Sequence, residues 1–424
     1  MVNKKYRLRC PSCGMEVPDH YTNSCPAGCP GLIRAEYAAR RITPHPFPGI
    51  FCYADWLPVE GTLPTQAGPV TYCSTELARE AGLANLWICF NGYWPEKGAL
   101  MRTCSFKELE AWPTMLRLQE KGKGIMQVSS AGNTGRAFAE VSAQCGYPLV
   151  LAVPVRGIDR IWTTRPAKQV FLVAVEGDYT DAITVGDALC SLPGLVPEGG
   201  AKNPARRDGM GTVMLDGTLT CGRLPDWYVQ AVGSGTGGIA AWEMAERLRR
   251  DGRWGAALPR LLLSQNLPFT PMVDAWQDGR RTLLPGDFVD ATSRIADVWA
   301  DVLTNRHPPY DLPGGLRDAL LATNGMMDPV SNAEAHAAGR LFAELEGCDL
   351  DPAAAVATAS LLRSAENGTI GKNDTVLLNI TGGGYERVKK DFTLHRVRPA
   401  CTVPAGAGTA EVERLLAGWM KDYA

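Results

Sequence analysis

The sequence predicts an α/β protein of two lobes, each a parallel sheet covered by helices, with a small Cys-rich segment in front. Three observations carry that expectation. Short apolar runs alternate with longer helical patterns through the middle of the chain. Those runs are apolar without alternation, as strands buried on both faces are. The chain has 424 residues, more than one core usually holds, which implies two lobes with a site in the cleft between them.

The elements follow in order. Residues 5–40 are rich in Cys and turn formers. Cys10-Pro11-Ser12-Cys13 and Cys25-Pro26-Ala27-Gly28-Cys29 put two Cys pairs on tight turns, eleven residues apart. Four thiolates so spaced suit a tetrahedral zinc site, a ribbon that staples a segment too short for its own core. Residues 41–60, with many Pro and aromatic residues, form an irregular connector. A helix is expected over 108–120, interrupted by Pro113. Strands are expected at 125–128, 149–153, 170–175, 228–232, 261–263 and 375–380. Helices are expected at 136–145, 179–192, 239–250, 333–346 and 352–366.

Composition excludes several classes of function. The 43 basic and 45 acidic residues leave a net charge of -2, with no basic stripe for nucleic acid. Apolar runs such as 149–153 are far too short to span a bilayer. The N-terminus carries charge but no apolar run behind it, so no signal peptide is expected. Nine further Cys lie scattered in mostly apolar segments; they read as reduced, buried residues of a cytoplasmic protein.

Three separated motifs point to chemistry. Lys107, between Phe106 and a helix start, suits a semi-buried amine able to form a Schiff base. Ser129, Ser130, Ala131, Gly132, Asn133 and Thr134 run from a strand into a helix, a natural carboxylate or phosphate site. Gly233, Ser234, Gly235, Thr236, Gly237 and Gly238 form a second strand-to-helix turn. That turn fits the dinucleotide fingerprint. A dinucleotide site wants an acidic residue after the next strand, and Ser264-Gln265-Asn266 stands there instead, so the turn reads as a cradle for one phosphate. An amine, an asparagine turn and an anion cradle are the parts that hold pyridoxal phosphate (PLP). Asn133 would meet the phenolic oxygen of its ring and Thr381 the ring nitrogen. A neutral hydroxyl there weakens the electron sink and favours replacement at Cβ or Cγ. Asn203, Arg206 and Arg207 cluster near a second turn, and Arg136 follows the asparagine turn; these are candidates for an anionic substrate group.

With those residues in hand, the chain resembles the fold-type II PLP enzymes of the threonine synthase group (tryptophan synthase β-like), and within it the cysteate synthase family. The resemblance covers roughly residues 5–395. It is carried by Thr103-Cys104-Ser105-Phe106-Lys107-Glu108, Ala131-Gly132-Asn133-Thr134-Gly135-Arg136 and Gly233-Ser234-Gly235-Thr236-Gly237-Gly238. Threonine synthases usually follow the lysine with Asp-Arg. This chain has Glu108-Leu109, which points away from phosphohomoserine. The resemblance implies Lys107 as the Schiff-base lysine, with Asn133 and Thr381 as PLP contacts. It implies reaction of O-phospho-L-serine with sulfite to give L-cysteate and phosphate, a supply for coenzyme M, by a homo-oligomer. The implied plan is a ribbon over 1–40, a larger PLP-binding lobe from 41–100 and 223–398, a smaller substrate-binding lobe over 101–222, and a helical tail over 399–424. Threonine synthesis or another nucleophile on phosphoserine stays open at this point. So do, on the motifs alone, a nicotinamide oxidoreductase and a ribbon that only binds partners.

Overall fold

The computed structural model describes residues 4–122, 124–406 and 410–421. Residues 1–3 of the expected ribbon, and 407–409 and 422–424 of the expected tail, lie outside them. Two sheets organise the chain. One has six strands in the order Met326–Val330, Arg260–Asn266, Trp227–Ala231, Thr375–Ile380, Asn85–Phe90, Val70–Cys73. Its strands are parallel except Val70–Cys73, which runs antiparallel at the edge. The other has five parallel strands: Leu195–Pro197, Ile125–Ser129, Leu149–Pro154, Val170–Glu176, Pro399–Pro404. Every residue of Leu149–Pro154 and of Thr375–Ile380 is buried, as strands covered on both faces require. The last strand is a departure from expectation. Residues 399–404 do not open a helical tail; they close the edge of the five-stranded sheet beside Val170–Glu176, and helix follows only at Ala410–Met420. The alternation of Cys401 and Val403 with less buried neighbours is too short a signal to read in sequence.

Five helices frame the site: α1 (Lys107–Lys121), α2 (Asn133–Cys145), α3 (Tyr179–Leu189), α4 (Pro204–Cys221) and α5 (Thr236–Asp251). The expected interruption of α1 at Pro113 does not occur. Proline removes the N–H that would reach Leu109 O. Gly209 of α4 packs on that freed carbonyl, so closely that a Cβ on Gly209 would lie 2.0 Å from Leu109 O. A glycine Cα–H against an orphan carbonyl is a weak hydrogen bond, and it lets two helices touch through backbone. α4 itself was expected as a basic loop. Asn203 caps it, accepting from Ala205 N at 3.0 Å, and Pro204 sits at its first position.

The ribbon is a three-stranded antiparallel sheet, with Tyr6–Arg9 between Glu16–Val17 and Arg34–Tyr37. It is docked through buried charge. Arg117 of α1 is fully buried and donates to both carboxylate oxygens of Asp19, at 3.0 and 2.7 Å, to Thr22 O, and to the side-chain oxygens of Asn23 and Asn203. Arg34 pairs with Glu243 of α5 at 3.0 Å, and Tyr37 donates to Asp208 of α4 at 2.6 Å. The ribbon therefore braces the three helices that carry Lys107, Arg206 and the Gly-rich turn.

Candidate active site

Parallel strands deliver their following loops to one end, and three such loops converge here. Residues 129–135 follow Ile125–Ser129, residues 233–238 follow Trp227–Ala231, and residues 381–384 follow Thr375–Ile380. Phe106 N–H donates to Thr381 O at 3.0 Å, and Ser105 bridges to Gly382, so the segment entering α1 lies on the end of the six-stranded sheet. Val302 joins the other two turns. A Cβ on Gly132 would lie 3.4 Å from Val302 Cγ1, and one on Gly233 would lie 2.9 Å from Val302 O.

Lys107 is the first residue of α1, and its side chain is 17% exposed. Its amine does not point into bulk water. Nζ lies 3.3 Å from Glu110 Oε2 and 4.9 Å from the Phe106 ring centre. Burial lowers the amine from its ordinary value, Glu110 raises it, and the charge of Arg206 lowers it further. The net direction is down, toward the free base that Schiff-base chemistry needs. Glu110 also meets Arg206 Nε at 3.1 Å, and Arg206 Nη1 meets Glu198 Oε2 at 2.8 Å. Lysine, carboxylate, guanidinium and carboxylate thus alternate in one buried row. Burial alone would lower the Arg206 pKa; the two carboxylates outweigh it and raise it, so the group stays charged.

Asn133 opens α2. Its amide donates to Asp351 Oδ2 at 3.3 Å and its oxygen accepts from Arg136 Nη2 at 2.5 Å. Arg136 also donates to Thr103 O at 3.1 Å and to Tyr385 Oη at 2.8 Å, while Tyr385 donates to Asp351 at 2.8 Å. Arg136 is buried, and through Nε and Nη2 it fixes Asn133, Thr103 and Tyr385 in place. Asn203, expected as a substrate contact, is taken up by the protein itself. It is fully buried, its oxygen accepts from Ala205 N and Arg117, and its amide donates to Tyr21 Oη and Glu198 O. Asn203 therefore builds the site's wall. Sequence reasoning missed Asp351, Tyr385 and Glu110: Glu110 lies inside an expected helix, and Asp351 and Tyr385 stand at helix starts far in sequence from the three motifs.

The two turns present unpaired N–H groups. α2 begins after Gly132 and α5 after Gly235, and neither has a side-chain cap. α3 and α4, by contrast, are capped by Asp178 and Asn203. Gly235 adopts φ 80°, which L side chains rarely take, and this turns the chain into α5, whose Thr236 N–H donates to Ser234 Oγ at 3.4 Å while the Gly237 and Gly238 N–H groups have no side-chain partner among the described residues. Ser234 Oγ and Thr236 Oγ1 stand 2.8 Å apart beside them. Ser129 Oγ accepts from the Gln127 amide at 2.9 Å, and Ser130 Oγ accepts from Gly132 N at 3.3 Å, which tightens the first turn.

Residues 91–382 match the model of the family described as pyridoxal-phosphate dependent enzyme. A cysteate synthase from Methanoculleus marisnigri is 59% identical over 423 residues, 99% of this chain and 98% of its own. The chain belongs to the cysteate synthase family of pyridoxal-phosphate dependent enzymes. A second cysteate synthase, from Methanospirillum hungatei, is 57% identical over 419 residues, 99% of each chain. Solved structures share the fold: maize serine racemase (TM-score 0.56, 14% identity, 84% of this chain and 93% of that one) and a PLP-dependent aspartate racemase (TM-score 0.58, 16%, 76% and 92%). PLP is the family's cofactor, and the residues present fit it. A half-buried amine with a lowered pKa and two uncapped helix N-termini are the donor set that an aldehyde, a phosphate and a carboxylate require.

The four ribbon cysteines also come together. The sulfurs of Cys10, Cys13, Cys25 and Cys29 all lie within 4.8 Å of one another and could hold a metal ion. Cys13 and Cys25 are 3.8 Å apart, the edge of a tetrahedron with metal–sulfur bonds of about 2.3 Å. Among the described residues no helix is long and apolar enough to cross a membrane.

Proposed function

We propose that the protein replaces the phosphate of O-phospho-L-serine by sulfite, giving L-cysteate and phosphate, as a step toward coenzyme M. The observation that carries this reading is the end-to-end identity with cysteate synthases. The site's geometry agrees with it. When bound, PLP supplies the electron sink that makes the substrate Cα proton removable. The chain's own residues do the rest. Lys107 is the attachment point, and its amine, once free, takes the Cα proton at Nζ and later returns it. Ser129, Ser130, Ala131, Gly132 and Thr134 hold the substrate carboxylate with the uncapped N–H groups of α2, which fixes the Cα–H bond for removal. Asn133 would meet the cofactor's phenolic oxygen. Gly233, Ser234, Gly235, Thr236 and Gly237 would hold its phosphate, and Thr381 would face its ring nitrogen. Arg206, kept charged and held in place by Glu110 and Glu198, meets the leaving phosphate and the incoming sulfite in turn. Zinc on the four ribbon thiolates staples the segment that braces α1.

Incubation of the purified, PLP-loaded protein with phosphoserine tests the reading. Phosphate release that requires sulfite, with L-cysteate as product, is expected. Release with sulfide or a thiol but not sulfite would assign a different nucleophile.

A further inference from the structure

The proposed reaction leaves Glu110 without a chemical part, yet it is the group nearest the lysine amine that carries charge. It lies one turn after Lys107 on the same face of α1, fully buried. One oxygen, Oε2, is shared between Lys107 Nζ at 3.3 Å and Arg206 Nε at 3.1 Å. The other, Oε1, is buried with no hydrogen-bond partner. A buried carboxylate oxygen without a donor is costly. Tyr179 of α3, Arg206 of α4 and Glu198 are the other titratable groups that face this row.

We propose that Glu110 is a positioning residue that holds the Lys107 amine in place and favours its protonated form. Glu110 is paired with Arg206 as well, so it remains compensated when Lys107 gives up its charge. Burial and Arg206 both lower the Lys107 pKa, and Glu110 is the first of the groups that raise it. The inference rests on Lys107 being the amine that holds PLP, and the test separates the two.

The test uses the full-length PLP-loaded protein, the Glu110→Gln variant and the Glu110→Asp variant. Borohydride fixation and peptide mapping first locate the cofactor; mass on Lys107 is expected in all three. Visible absorbance is then titrated with pH, which reads the proton at Lys107 Nζ. In Glu110→Gln the midpoint should fall by about one pH unit or more, a roughly tenfold loss of proton affinity. Glu110→Asp, which keeps the charge but retracts it, should fall between that variant and the parent. Mass on Lys107 with an unmoved midpoint in Glu110→Gln overturns the inference. Mass on another lysine overturns the reading beneath it. If Glu110→Gln does not fold, an unmoved midpoint in Glu110→Asp decides against the inference.

Discussion

Replacing Arg117 by Met asks how firmly the ribbon is tied to the lysine helix. The guanidinium is fully buried and makes five hydrogen bonds, two of them to the Asp19 carboxylate. Met keeps much of the stem's packing and removes every donor. Asp19, whose side chain is 10% exposed, would be left as a nearly buried charge without its partner, and Asn203 would lose a donor to its oxygen. Breaking a buried pair from one side costs about 3–5 kcal/mol, because the stranded charge dominates. A whole domain has only about 5–15 kcal/mol to lose. Urea unfolding should therefore shift Arg117→Met by about 3–5 kcal/mol. Asp19→Asn in the same background strands the cation instead, and the double variant strands neither. The cycle should return a coupling of about 2–3 kcal/mol. The pH dependence gives a second reading. Burial by itself would raise the Asp19 pKa, but the hydrogen bonds and charge of Arg117 outweigh it and hold the carboxyl below its ordinary value. A folded pKa below the unfolded one gives stability that is present above the unfolded value and lost as pH falls through the folded one. The parent should lose that contribution below about pH 4, and Arg117→Met should not. A loss under about 1 kcal/mol in Arg117→Met would refute the account of the ribbon as braced by this cation.

Gly209→Ala should push α4 off α1, since its Cβ would meet Leu109 O at 2.0 Å; a loss of at least about 1–3 kcal/mol in urea unfolding is expected. Glu108 lies fully buried behind Lys107, accepting from Thr103 N at 2.6 Å; burial, then the charge of Glu140, pushes its carboxyl up to about 8. A raised folded pKa gives stability that is lost as pH rises from about 4.3 through the folded value, so Glu108→Gln should flatten the decline between about pH 5 and about pH 8, read from unfolding midpoints. Cys13→Ser should lower bound zinc from about one ion per chain, measured by elemental analysis, and make the ribbon the first site of proteolysis.

The sheets were largely legible because their strands are apolar on both faces. Residues 149–153, 170–175 and 375–380 lie within or match the observed strands. α4 was not legible, because Gly209, Gly211 and Gly217 lower helix propensity; the glycines at 209 and 217 are there for close packing, on Leu109 O and Leu377. Met326–Val330 was hidden by Pro329, tolerable only because that strand lies at the sheet's edge. At the site, Lys107 and the two Gly-containing turns stood out by their types and positions. That Asn203 faces the wall depended on partners far away in sequence, Tyr21 and Arg117 among them, which no local pattern announces.

The pairing of Asn85–Phe90 with Thr375–Ile380 has a consequence for biogenesis. Four strands of the five-stranded sheet emerge from the ribosome in one contiguous stretch and can assemble as they appear. The apolar strand Leu86-Trp87-Ile88-Cys89-Phe90 can pair at once with Val70–Cys73 on one edge, but its other edge must wait on the order of 300 residues for Thr375–Ile380, about 15–60 s at typical rates of translation. During that interval its open edge is a template for wrong pairing. Chains released early, before Thr375, would carry that edge permanently and should be recovered as aggregates.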